Sequence, residues 1–184
     1  MTISQPLLKA APCKPGLLFR SRRYFPPSSL LTLYKAQIRL CLEYGSHLWR
    51  GAPKHSLATL DAIQKRAIKL IGAPDLSNSL DSLAHRRTVS ALSLYYRYYV
   101  CSVELKSIIP PKALFTRNTR FSNVQHPFAV KLDKNQTSAF ANSFFIPMTP
   151  RDWNSLPATV FPATYNLQLF KTRIHRHLQL LPSP

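Results

Sequence analysis

The side chains most able to do chemistry in this chain are cations, which recur in short groups along its length. Guanidinium and ammonium groups meet phosphate oxygens as forks and point charges, so closely spaced cations favour binding to a polyanion. The candidate groups are Arg20, Arg22 and Arg23; Lys65, Arg66 and Lys69; and Arg86 and Arg87. The first group alternates with Phe19, Tyr24 and Phe25, a pattern that suits backbone neutralisation combined with base stacking.

The carboxylates are too scattered to predict metal-dependent catalysis. A two-metal polymerase or nuclease needs acids gathered around its cations, because each ion must be held while it polarises phosphate oxygens. The acids are Glu43, Asp61, Asp75, Asp81, Glu104, Asp133 and Asp152, with no Asp-Asp and no Asp-x-Asp among them. We therefore expect no catalytic residue, no metal site and no cofactor in this chain.

The histidines and cysteines do not change this expectation. His175 and His177 are two residues apart on a predicted helix, so they point to different faces and a shared zinc ion is disfavoured. Nothing in the sequence orients His85 as a base toward a neighbouring serine hydroxyl. The 3 cysteines are widely spaced without a Cys-x-x-Cys pair, which favours reduced thiols over a zinc or disulfide framework.

The charge balance agrees with the cation groups. The chain has 184 residues, with 25 Lys and Arg against 7 Asp and Glu, a formal net charge of +18. Such a surplus repels itself in a compact body unless a polyanion neutralises it. No apolar run is long enough to span a membrane, and the cations are not confined to one amphipathic stretch, so we expect an intracellular protein without a membrane partner.

The elements that must position these groups follow from apolar periodicity and from proline. A short helix is predicted within residues 17–25, and longer helices over 28–48, 56–71 and 79–107. Ser28 or Ser29 is the expected cap of the first long helix, and Gly72 the left-handed terminator of the second. The cations of the second helix fall opposite its apolar side, where an ordinary solvated face is an equally good interpretation.

Residues 110–184 have a different character. Segments 128–132 and 139–146 are predicted as short strands or extended strips packed on the helical body, while several prolines argue against a regular sheet. Asn166 is expected to cap a final helix. We interpret the Trp153 to Pro157 block as a packing clamp, and the tyrosines of 95–99 as core residues more than base-stacking platforms.

An ordered set of short strings runs from about residue 17 to residue 178. The strings are Leu18-Phe19-Arg20, Arg22-Arg23-Tyr24-Phe25, Leu33-Tyr34-Lys35-Ala36-Gln37, Glu43-Tyr44 with Trp49, Ile63-Gln64-Lys65-Arg66-Ala67, His85-Arg86-Arg87, Tyr95-Tyr96-Arg97, Trp153-Asn154-Ser155-Leu156-Pro157 and Phe170-Lys171. In this order they resemble the region downstream of the palm in reverse transcriptases of non-LTR retrotransposons, the long interspersed elements (LINEs) of the jockey and chicken-repeat type.

The resemblance implies a mainly α fold, a thumb-like helical bundle with an irregular or short-stranded C-terminal cover and a final helix. Prolines and composition predict three segments: a proline-rich basic stretch (1–27), the bundle (28–109) and the C-terminal region (110–184). Such a bundle would hold RNA or RNA–DNA duplex by phosphate contacts beside the palm. The catalytic Asp-Asp motif and the endonuclease would lie outside this chain, which is then not an enzyme alone.

Two further expectations accompany the resemblance. Target-primed copying takes place at chromosomal DNA, so the nucleus is the expected location, with the cytoplasm left open. The palm domain would be a second partner, and no small-molecule substrate is expected. An alternative of another class also stays open, a non-catalytic protein-interaction or structural remnant of a transposable-element polyprotein.

Overall fold

The structure is a computed structural model that describes residues 15–78, 80–101, 109–113, 126–132 and 145–180. Helices account for 71% of the described residues, which contain no sheet, so the predicted mainly α fold class is confirmed. Two compact units divide the chain, Met1–Arg87 and Thr88–Pro184, and each has its own buried core. The segments drawn from composition at 27/28 and 109/110 stay a prediction.

The first unit begins with a short helix and a longer, interrupted helical path. Helix α1 spans Pro15–Ser21. The path that follows comprises α2 (Pro27–Leu33), a π-helical stretch (Tyr34–Arg39) and α3 (Leu40–Glu43). It starts one residue before the predicted Ser28 or Ser29 cap, because Pro27 is preorganised for the first helical position and Pro26 precedes it in an extended conformation.

Gly45 ends this path earlier than the sequence pattern predicts. Its φ of 62° is left-handed, a conformation that costs a residue with a Cβ but is readily adopted by glycine. Helix α4 (Ser46–Trp49) begins at the next residue, and the Trp49 indole N–H donates to the Tyr44 carbonyl across the turn at 3.0 Å. The single helix predicted over 28–48 is therefore interrupted at Tyr44 and Gly45, and the prediction is wrong there.

Helix α5 (Lys54–Ile71) matches the second predicted helix closely. It begins two residues before the predicted start, since Pro53 provides an extended residue at its N-terminus. Gly72 ends it with φ of 70°, and its N–H donates to the Ile68 carbonyl, so the predicted left-handed terminator is confirmed. The short helix α6 (Pro74–Ser77) follows.

Helix α7 (Leu83–Cys101) begins in the first unit and ends in the second. The sequence predicts this helical zone over 79–107, of which residues 79 and 102–108 lie outside the described part. Tyr95 and Tyr96 on α7 are buried in the second core, which confirms their interpretation as packing residues. No described helix is both long and apolar enough to cross a membrane.

The second unit contains a helix that the sequence pattern missed. Helix α8 (Phe145–Asn154) includes Pro147 and Pro150, although proline is normally unfavourable inside a helix. It covers the last two residues of the predicted extended segment 139–146, which is wrong there; residues 139–144 lie outside the described part. A 3₁₀ turn (Ala158–Val160) and helix α9 (Leu167–Leu180) follow.

The second core is centred on Trp153, which is fully buried among aromatic rings. Its ring centroid lies 4.9 Å from those of Tyr95 and Phe161, and its indole N–H donates to the Phe128 carbonyl at 2.8 Å. Leu156 is buried in the same core, so the interpretation of this block as a packing clamp is confirmed. Asn166 caps α9, because its side-chain oxygen accepts the Leu169 N–H at 2.9 Å.

The predicted strand at 128–132 is an extended strip with one bridge. Val130 pairs with Lys112 in antiparallel fashion, and hydrogen bonds join Ala113 N–H to Ala129 O and Lys131 N–H to Pro111 O. Ala129 and Val130 are buried against the helices of this unit. The prediction of an extended strip packed on the helical body is confirmed for these residues.

Candidate nucleic-acid interface

The first unit places two of the predicted cation groups on neighbouring helices. Arg20 lies in the last turn of α1, and Arg22 and Arg23 follow in the turn that leaves it. Helix α1 packs directly against α5, which carries the Lys65 group. Leu18 of α1 and Leu60 of α5 are both fully buried in the first core, so apolar burial fixes this helix pair.

The cations on this helix pair all face solvent. We call them the exposed cations: Arg20, Arg22, Arg23, Lys65, Arg66 and Lys69. Within the described ranges, none of them forms an ion pair with a carboxylate. On α5 they lie opposite the buried Leu60, Ile63 and Ala67, as the ~100° step per residue predicts. Their charges are therefore not neutralised by described acids of the protein.

Lys54 is a cation that the sequence pattern missed. It is the first residue of α5 and is exposed. A ~100° step per residue places Lys54 on the same side of the helix as Lys65, about three turns away, and Lys69, about four turns away. The available signal in the sequence was Pro53. A proline just before a helix indicates that the helix starts directly after it, which here is earlier than the first apolar residue of the periodic pattern.

Three large aromatic side chains are exposed beside the arginines of α1. Phe19 is 52%, Tyr24 81% and Phe25 55% exposed. The guanidinium carbon of Arg22 lies 4.4 Å from the centroid of the Phe19 ring, which is a cation–π contact. The arginines and aromatic side chains that alternate in the sequence are therefore exposed together at the surface.

Arg86, by contrast, is already neutralised within the first unit. Its Nη2 donates to Glu43 Oε2 at 2.9 Å and its Nε donates to Glu43 Oε1, while Nη1 lies 3.8 Å from Asp81 Oδ2. The hydrogen bond to Glu43 raises the pKa of Arg86. Glu43 also lies 3.7 Å from Nε of Arg39, so this carboxylate serves two guanidinium groups. Arg86 is therefore not proposed as a phosphate contact.

Arg87 lies deeper than Arg86. Its side chain is only 5% exposed, its Nη1 donates to Asp61 Oδ1 at 3.4 Å, and its guanidinium carbon lies 5.8 Å from the Trp49 ring centroid. Burial lowers the pKa of Arg87, and Asp61 opposes that shift. A buried guanidinium cannot reach a phosphate without opening the core, so Arg87 is likewise left out of the proposed contacts.

In each unit, residues from different strings of the resemblance contact one another. In the first unit Glu43 binds Arg86, and Trp49 lies beside Arg87. In the second unit the Tyr96 ring stacks on Phe170 at 4.0 Å between centroids, and Tyr95 packs on Trp153. Many residues that define the strings are therefore packing residues, and they report on the fold more than on a ligand.

Gln64, which lies in one of the strings of the resemblance, is a further structural residue of the first unit. It is buried on α5, and its Nε2 donates to the Asp81 carbonyl at 3.0 Å. This bond ties α5 to the segment that precedes α7. Its position on the apolar side of the helix, read with the same ~100° step, was the available signal.

Comparisons with protein-family models, with curated proteins and with solved structures found no match to this chain. The resemblance to non-LTR retrotransposon reverse transcriptases therefore stays a prediction from the ordered strings. The class of protein that the structure itself defines is a mainly α protein of two compact units, the first of which exposes a set of cations.

Proposed function

We propose that this chain binds RNA or RNA–DNA duplex through phosphate contacts, as a thumb-like, non-catalytic part of a retrotransposon reverse transcriptase. One observation carries the binding proposal: the exposed cations lie on two touching helices and in the turn that follows the first of them, and they form no ion pair with a described carboxylate. A flexible anionic backbone can neutralise such a surface without sequence-specific contacts. The nucleus is the location that this proposal implies.

The distribution of acids in the first unit supports this proposal. Glu43, Asp61 and Asp81 all lie against Arg86 or Arg87, so these carboxylates stabilise the inside of the unit. None of these three carboxylates is an ion-pair partner of an exposed cation. Releasing condensed counterions from a nucleic acid is the driving force that such a surface exploits.

The contacts between residues of different strings support the proposal that the chain is part of a retrotransposon reverse transcriptase. If the strings belong to one family's fold, residues of different strings are expected to contact one another within a unit. Glu43 with Arg86, Trp49 with Arg87, and Tyr96 with Phe170 are such pairs. The contacts between strings bear on the ancestry of the chain, whereas the exposed cations bear on its nucleic-acid binding.

The test is a salt titration of binding, followed by fluorescence anisotropy with a labelled RNA–DNA duplex. If about 6 to 10 phosphates are contacted, affinity falls ~10³- to 10⁵-fold between about 50 and 200 mM salt. The variant Lys65→Glu/Lys69→Glu removes two contacts, so its slope against the logarithm of salt concentration should be shallower by about 2. The variant should also bind more weakly at every salt concentration.

A charge-matched control distinguishes binding at a defined site from attraction by the net charge of the chain. Lys171→Glu/Arg176→Glu makes the same charge change at exposed positions of α9, in the second unit. The proposal expects this control to lose much less affinity than the α5 variant. Equal losses in the two variants would mean that nucleic acid follows total charge, and binding that ignores salt would contradict phosphate contacts altogether.

A second candidate function is a protein-interaction surface. Leu40 and Tyr44, four residues apart at the end of the interrupted helix, are both largely exposed, as is Leu48 beyond the turn. Exposed apolar side chains at this spacing are typical of surfaces that meet another protein. If the α5 double variant binds RNA as the native chain does, docking to the palm domain or to another acidic partner becomes the better explanation.

A further inference from the structure

We infer that the turn after α1 is a stacking site for unpaired nucleotides, with Tyr24 and Phe25 as the platforms. This inference rests on the proposed nucleic-acid binding and names its preferred ligand as a single strand. The chemical basis is that every base presents a π-face that an exposed aromatic ring can cover, whatever the sequence. Duplex nucleic acid hides these faces, so only an unpaired strand can use them.

The two rings are available because nothing in the described chain covers most of their surface. Among the described large hydrophobic residues of its unit Tyr24 is the most exposed, and Phe25 beside it is more than half exposed. Phe19 plays a different part, since the Arg22 guanidinium lies over its ring. That contact fixes the Arg22 guanidinium on a ring of α1, and the proposed site uses Arg22 as the cation that meets the phosphate of a stacked nucleotide.

The turn is also held in shape before any ligand arrives. The Ser21 carbonyl accepts both the Tyr24 N–H at 3.0 Å and the Phe25 N–H at 3.1 Å. Leu18 anchors α1 in the core on one side, and Pro26 and Pro27 restrict the backbone on the other. A preorganised turn loses little backbone entropy on binding, which favours a genuine site over an incidental display of aromatic rings.

Charge decides the occupant of this surface. An apolar partner helix would have to bury Arg20, Arg22 and Arg23 against its own surface, and burying unpaired cations is costly. A single strand supplies a phosphate for each base, so cations and rings are satisfied together. Because RNA and DNA strands share this chemistry, an oligouridine and an oligothymidine serve as separate arms of the test.

The experiment compares three labelled probes in low salt: an oligouridine of about 12 nucleotides, an oligothymidine of equal length, and an abasic strand with the same number of phosphates. We expect the native chain to bind at least one base-bearing strand about ten-fold or more tightly than the abasic strand. The variant Tyr24→Leu/Phe25→Leu keeps apolar surface but removes the rings, and it should lose that preference.

The matched control is Tyr44→Leu, which changes a tyrosine of the same unit that is 80% exposed and follows α3, outside the turn after α1. It should keep the native preference for bases. If the native chain binds the abasic strand as tightly as both base-bearing strands, stacking is refuted while phosphate binding stands. If none of the probes and no RNA–DNA duplex binds in low salt, the proposed function fails and the stacking site fails with it.

Discussion

The side chain of Asn154 pairs with the backbone of Val130 as a neighbouring strand would. Its Oδ1 accepts the Val130 N–H at 3.0 Å, and its Nδ2 donates to the Val130 carbonyl at 2.8 Å. On its other edge, the strip that contains Val130 is bonded to the strip around Lys112. One asparagine at the end of α8 thus secures an extended strip that has no sheet to join.

Replacing Asn154 should therefore destabilise the second unit. Asn154→Ala leaves both backbone groups of the buried Val130 without their partner, and we expect a loss of about 2 to 3 kcal/mol in the free energy of unfolding. Urea denaturation followed by circular dichroism measures this. Ser155→Ala removes an exposed hydroxyl bond to the Asp152 carbonyl and should cost much less. Equal effects of the two changes would contradict the strand-like role of Asn154.

Trp153 offers a second test of the same core. Trp153→Phe keeps an aromatic ring but removes the indole N–H that donates to the Phe128 carbonyl and leaves a cavity. We expect a loss of about 2 to 4 kcal/mol in the free energy of unfolding. Trp49→Phe is the comparison in the first unit, where the indole bond to Tyr44 is also lost but the side chain is partly bordered by solvent. A smaller loss at Trp153 than at Trp49 would contradict its central place in the core.

Substitution of Arg87 should lower stability and leave nucleic-acid binding unchanged, whereas substitution of the exposed cations should weaken binding and leave stability unchanged. Arg87→Gln removes a buried guanidinium that packs over Trp49 and donates to Asp61, so the free energy of unfolding should fall by about 1 to 3 kcal/mol. The slope of RNA affinity against salt should stay unchanged in the folded variant. Lys65→Glu/Lys69→Glu should do the reverse. A shallower salt slope in folded Arg87→Gln would show that this arginine does contact phosphate.

His126 should make the second unit sensitive to mild acid. The Phe128 N–H donates to Nδ1 at 3.2 Å, so Nδ1 is unprotonated and Nε2 donates to the Trp153 carbonyl at 2.8 Å. Burial lowers the pKa of His126 from its ordinary value of 6.5, although the bond to Trp153 partly opposes this shift. The folded state thus holds the neutral ring.

The sign of the pH effect follows from that pKa. Below about 6.5 the unfolded chain binds a proton at His126 that the folded chain does not, so stability falls as pH drops toward the lowered folded pKa. Urea midpoints measured between about pH 7.5 and 5.5 should decline in the native chain. His126→Gln can make both hydrogen bonds without titrating, so its decline should be shallower. An identical decline would assign the effect to other groups, such as His47, whose pKa is also lowered by burial.

Local physics explains what could be predicted for α5 and α9. In each helix the apolar spacing, the terminating or capping residue and the polar side predict the same helix. Gly72 ends α5 and Asn166 caps α9, as predicted. The interruption at Gly45 was missed although glycine is itself a local signal for a left-handed helix end, whereas the helix through Pro147 and Pro150 was missed because tertiary packing overrides local preference there. In α8, the buried Trp153 and its neighbours outweigh the unfavourable prolines.

The sequence by itself determined the mainly α class, the surplus of positive charge and the cations that line α5, because these depend on composition and on the helical repeat. Only the tertiary structure decided which cations are available. Arg86 and Arg87 look no different in sequence from Arg22 and Arg23, yet Glu43 and Asp61 reach them from distant helices. Whether a charge faces a phosphate or a carboxylate depends on contacts between residues far apart along the chain, which no local pattern encodes.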